Sequence, residues 1–148
     1  MLTIHAADTL RVHGDAEPLK DAAVAVEGDR IAAVGPLDEL RDRFPGARVR
    51  RWPGVLGPGR VHEGPLPDAP SPRERIHAIL KLGAVAVLER HVDSPELRAA
   101  AERNDVHVLP TSRPAEITIA GRADLAVLDE SGACIATVCA GRLVHRRR

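Results

Sequence analysis

Apolar residues recur along this chain with a period near two at both ends and with helical spacing in the middle. Residues 2–35 read as short strands: LTIHAA, TLRV and AAVAVEGDRIAAVG. In the last of these, two apolar runs flank Glu27-Gly28-Asp29-Arg30, a hairpin signal. Pro36 suits a first helical position, and Leu37, Leu40 and Phe44 follow at helical spacing before Pro45-Gly46 stops the run. ARVRRW alternates apolar and charged residues as a half-buried strand does. The Pro/Gly-rich stretch after it, PGVLGPGRVHEGPLPDAPSP, is expected to break regular structure and to hold the main boundary in the chain.

Two helix starts follow with the same chemistry. Ser71 precedes Pro72, with Glu74 three residues after the serine, and Ser94 precedes Pro95. Each serine oxygen can accept from an otherwise unpaired backbone N–H, while a proline at the first position gives up no helical bond. Ile76, Ile79, Leu80 and Gly83 share one face of the first helix; Leu97, Ala100 and Ala101 share one face of the second. Each helix leads into an apolar run, Ala84 to Leu88 and Val106 to Leu109, so the middle reads as βαβ units with a small parallel sheet.

After Pro110 the strand texture returns in EITIA, ADLAVLD and ACIATVCAGRLVHR. Turns are expected at Ala120-Gly121-Arg122, Glu130-Ser131-Gly132 and Ala140-Gly141-Arg142. These strands are expected to pair with those at the N-terminus, bringing both ends of the chain into one sheet system. The fold class is therefore mixed α/β.

Composition narrows what such a chain does. The core must be aliphatic, since Phe44 and Trp52 are the only aromatics. Acidic and basic residues balance at 21 each, so no net field draws the protein to nucleic acid or to an anionic membrane, and Arg146, Arg147 and Arg148 read as a solvated basic tail. No window approaches the roughly 18 apolar residues of a membrane span, and the N-terminus lacks a secretory pattern. Cys134 and Cys139 show neither a metal pattern nor a disulfide framework and are expected to be reduced, which places the protein in the cytoplasm. High arginine with Lys20 and Lys81 as the only lysines points to a GC-rich bacterial genome.

The order of these pieces resembles the amidohydrolase superfamily of metal-dependent hydrolases, and imidazolonepropionase-like members in particular. The residues that carry it are VAVEGDRIAAVGP at 24–36, Arg51-Trp52-Pro53-Gly54, Pro58-Gly59-Arg60-Val61, GRADLAVLD at 121–129 and Ala140-Gly141-Arg142-Leu143-Val144. The resemblance implies a composite β domain, a small β-sandwich built from residues 1–57 and 115–148, with residues 58–114 as a short βαβα insert. In the family that place is taken by a full barrel holding one or two metal ions. Such a barrel needs about 250 residues, and about 60 lie between Gly59 and Gly121. An eight-stranded barrel within that interval is excluded.

The family's His-x-His pair, which a strand's alternation aims at the metal, would fall on Gly64 and Leu66, neither of which ligates. A shifted register offers His62 and Glu63, with His91 as a further ligand, but adjacent strand residues point to opposite faces. His107 is expected to face solvent or a polar seam, and Asp124 and Asp129 to serve as turn and strand-end residues. Arg60, Arg73 and Arg113, in or near loops, are candidates for holding an anion. No nucleophile elbow or phosphate loop is present.

The reading on balance is a non-catalytic relative acting by binding or assembly, with no cofactor, whose barrel remnant is covered by a second copy or by another protein. The alternative is a minimal hydrolase of non-peptide carbon–nitrogen bonds in a cyclic amide or amidine, using zinc at His62, Glu63 and His91.

Overall fold

The computed structural model describes residues 2–147. Its first third holds β1 (Leu2–Ala6), β2 (Thr9–Leu10), β3 (Leu19–Lys20), β4 (Ala22–Glu27), β5 (Arg30–Pro36), α1 (Leu37–Arg43) and β6 (Arg48–Arg51). The middle runs through β7 (Val55–Pro58), β8 (Arg60–His62), α2 (Pro72–Leu80), β9 (Ala84–Leu88), α3 (Pro95–Arg103) and β10 (His107–Leu109). The chain then returns through β11 (Leu125–Leu128), β12 (Cys134–Cys139) and β13 (Arg142–Arg146).

These strands form a four-stranded sheet, β5-β4-β1-β6, a six-stranded sheet, β13-β12-β11-β7-β2-β3, and a three-stranded sheet, β10-β9-β8. The six-stranded sheet joins the two ends of the chain, with β7 antiparallel to β11 on one side and parallel to β2 on the other. Val24, Val26 and Ile31 of the first sheet share one buried cluster with Leu56, Leu125, Val127 and Val138 of the second, so the two pack face to face around an aliphatic core. On the outer face of the four-stranded sheet, Ile4, Ala23, Ala25 and Ala33 pack under Leu37 and Leu40 of α1.

The third sheet is parallel throughout, as the alternation of strands and helices implies. Ser71 Oγ accepts from the Glu74 N–H at 3.2 Å and Ser94 Oγ from the Leu97 N–H at 3.1 Å, each ahead of a proline. The apolar stripes of α2 and α3, with Ile76, Ile79, Leu80, Leu97, Ala100 and Ala101, are buried against Val85 and Val87 of β9. A fully buried isoleucine or leucine contributes roughly 2 kcal/mol, enough to hold two helices that are marginal by themselves.

Three local expectations are corrected. The Pro/Gly-rich stretch does not break regular structure throughout, because β7 and β8 lie inside it; Leu56 is core, and pairing on both sides outweighs weak local propensity, with Pro58 only at the end of β7. EITIA forms no strand. Glu116 makes a single bridge to His13, the Ile117 N–H bonds to Val12 O, and Ala120 turns the chain at φ 69°. Pro36 ends β5 and caps α1 rather than opening it, and Phe44 caps its far end.

The turns carrying the resemblance meet at one point. The Ile31 N–H donates to Gly121 O at 2.9 Å, that of Ala120 to Ile31 O at 2.8 Å, that of Ala123 to Asp29 O at 2.7 Å, and that of Gly141 to Ala123 O at 2.9 Å. Ala140 and Gly141, at φ 50° and 81°, form the two-residue turn between β12 and β13. A Cβ on Gly141 would run into the Gly28 carbonyl, so this turn rests directly on the backbone of the β4–β5 turn.

Candidate functional site

Parallel strands joined by helices place their carboxyl-terminal ends side by side, which is where loops in α/β folds carry chemistry. Here His62 of β8 lies beside Val87, and Leu109 of β10 beside Leu88. The segments leaving those ends bear Glu63, the short 3-10 turn Glu89–His91, and Ser112 and Arg113. One face of the sheet is covered by α2 and α3. On the other, Val61 and His107 flank Ala86 in register.

The chain returning to β11 crosses that second face. Arg113, Pro114, Ala115 and Glu116 stand opposite Val61, Ala86 and His107 across a cavity of about 310 Å³. Burial holds the His107 imidazole pKa below its usual value, the Arg122 guanidinium lowers it further, and Asp124 opposes the shift. His107 is thus a neutral group in a polar seam at pH 7.

Arg122 closes the floor of this region. Its Nε donates to both carboxylate oxygens of Asp124, at 3.0 and 2.8 Å, and its Nη1 to the Asp105 carbonyl. Asp124 Oδ1 also accepts from the Ala140 N–H at 2.9 Å, and the Asp124 carbonyl accepts from the Gly59 N–H at 2.9 Å. These bonds use up both side chains in joining the sandwich to the end of α3. Beside them, burial pushes the Cys139 thiol up to about 11, so it forms no nucleophilic thiolate at neutral pH.

Of the arginines singled out by sequence, Arg60 and Arg113 line one groove of about 440 Å³ together with Glu63. Arg73 stands apart on the exposed first turn of α2. His62 and Glu63 border a wider depression of about 600 Å³ with Cys134 and His145, and His62 Nε2 donates to the Pro65 carbonyl at 2.9 Å. His91 lies in the turn after β9 and is absent from that depression. Among the described residues no three His, Cys, Asp or Glu side chains converge as a metal-binding group. The two positions where the resemblance would put a histidine pair do not fit a metal: Gly64 has no side chain, and Leu66 is 4% exposed in the cluster beneath α2. The Arg122–Asp124 clasp was not foreseeable as a pairing, because Asp105 and Ala140 reach it only through the fold.

Comparison with known proteins agrees with this architecture. Residues 22–47 match the family described as imidazolonepropionase-like composite domain, bacteria. Among solved structures, Helicobacter pylori aminofutalosine deaminase superposes with a TM-score of 0.55 at 17% identity, over 72% of this chain and 32% of that one. The likeness to that structure is one of fold. A. niger ochratoxinase aligns with this chain at a TM-score of 0.53 and 22% identity, over 73% of this chain and 30% of that one. An adenosine deaminase from Xanthomonas campestris, solved with bound zinc, gives 0.53 and 22%, over 68% and 31%. The chain spans about a third of the length of these structures. No curated protein sequence matches it. No helix among the described residues is long and apolar enough to cross a membrane.

Proposed function

We propose that this amidohydrolase-type domain is non-catalytic and works by binding or assembly in a bacterial cytoplasm. The observation that carries the reading is the path of residues 110–118. Arg113, Pro114, Ala115, Glu116 and Thr118 wall off the sheet face that a closed barrel would enclose and leave a cavity of about 310 Å³ over it. The sheet has three strands, and the segment between Gly59 and Gly121 is too short to add the rest.

Assembly gives the insert a use. The outer edges of β8 and β10 are unpaired within the sheet, and Leu82 and Ile119 expose 50% and 61% of their surface. Exposed strand edges and apolar side chains favour a covering partner, either a second copy or another protein. Free Cys134 and Cys139 accord with a reducing compartment.

Elemental analysis of untagged protein, before and after incubation with zinc, iron and manganese, tests the reading. Less than about a tenth of a metal per chain is the expected result. Near-stoichiometric retention abolished by His62→Ala would overturn it in favour of a hydrolase of carbon–nitrogen bonds. Sedimentation at micromolar concentration is expected to show a dimer, and a monomer would point to a different protein as the partner.

A further inference from the structure

Away from the parallel sheet, β6 and β13 are outermost strands of the two large sheets. The parallel register of β1 and β6 sets Arg48 beside Thr3 and Arg50 beside His5. Opposite, the Arg146 guanidinium of β13 lies 5.6 Å from the centroid of the Trp52 ring. Trp52 is itself fixed: its ring stands nearly parallel to His5, at 11° and 6.5 Å, and its Nε1 donates to His5 Nδ1 at 3.4 Å. A cation held over an indole face has a preferred place and does not sweep freely through solvent.

These three arginines lie together and make no ion pair among the described residues. The ion pairs among the described residues engage Arg30, Arg75, Arg98, Arg122, Arg142 and Arg147, each with an aspartate or glutamate. Arg48, Arg50 and Arg146 have no such partner there. Burial lowers the pKa of the Arg50 guanidinium, and the neighbouring positive charges of Arg48 and Arg146 lower it further. His5, buried and beside Arg50, is kept neutral with a pKa lowered to about 4 and adds no further charge.

We infer that Arg48, Arg50 and Arg146 form a binding site for a phosphate dianion at the edge of the sandwich where β6 and β13 lie. Guanidinium forks match phosphate oxygens in pairs, and a bound dianion replaces mutual repulsion with charge-assisted hydrogen bonds. The chain carries no net charge, so its overall field does not gather anions at random. This site stands independently of the non-catalytic reading, since it lies outside the insert.

Trp52, the only tryptophan, provides the readout. Its emission is followed at low ionic strength during titration with inorganic phosphate and, separately, with a nucleoside monophosphate; chloride at matched ionic strength is the control. A saturable change with a dissociation constant on the order of 1 mM or tighter is expected, and the tighter ligand tells free phosphate from a phosphomonoester. The paired change Arg48→Gln with Arg50→Gln is expected to weaken binding by about tenfold or more while the circular dichroism is retained. Arg98→Gln, which breaks an unrelated ion pair with Glu89, leaves binding unchanged. No saturable change, an equal response to chloride, or wild-type affinity in the paired variant would each refute the site.

Discussion

At the turn junction, the backbone N–H groups of Ile31, Ala120, Ala123 and Gly141 all find carbonyls across segment boundaries, and a turn glycine rests on another turn. At the parallel sheet, two of three strands keep an unpaired edge within it, and a cavity separates its inner face from the irregular chain opposite. Both regions bury aliphatic side chains, so burial does not separate them; completeness of backbone pairing does. A region with every polar backbone group spoken for tolerates little change, whereas one with open edges has sites left to fill.

Changes at the junction should therefore cost most. Gly141→Ala places a methyl against the Gly28 carbonyl at a positive φ, and a loss of about 3 kcal/mol or more is expected in urea unfolding. A neutral result would show that the turns slide apart easily and would break the contrast. Acid probes the sandwich beside it. Unfolded, the His5 imidazole titrates near 6.5; folded, its pKa is lowered to about 4. Its contribution is intact above pH 6.5 and falls as pH drops toward 4, because only the unfolded chain takes up the proton in that window. The loss should reach about 3 kcal/mol, with a change in Trp52 emission as His5 Nδ1 stops accepting.

Arg122→Met tests the seam between the two regions. It leaves the Asp124 carboxylate, 15% exposed, with fewer partners, and about 2 kcal/mol should be lost. Combined with Asp124→Asn, the effects should be strongly non-additive. Ser94→Ala removes the cap of α3 for about 1 kcal/mol. Hydrogen exchange should place that loosening in α3 and β10 and leave the sandwich protected; spread over the whole chain, it would mean that the insert is no separate unit.

Local chemistry was legible where it is settled within a few residues. The caps at Ser71 and Ser94, the Gly28-Asp29 and Ala140-Gly141 turns, and the buried stripes of α2 and α3 all lie where period and turn residues put them. Strands β7 and β8 were not legible, because prolines and glycines hide four-residue and three-residue segments whose partners come from far along the chain. EITIA failed for the opposite reason: its alternation is strand-like, but no neighbouring strand is there to receive it. At the candidate site, Arg60 and Arg113 converge while Arg73 and His91 stand elsewhere, a sorting that only the path of residues 110–118 decides.

The hydrogen bond from Gly59 to Asp124 ties together the two points where the insert departs from the sandwich and rejoins it. The β domain thus possesses a port whose mouth is fastened independently of whatever is plugged into it. Closing a longer loop across a fixed mouth costs only about 0.6 kcal/mol for each doubling of its length. The same frame accepts a short cartridge or a very long one at nearly equal stability, and foreign domains spliced between Gly59 and Asp124 should leave the sandwich folded.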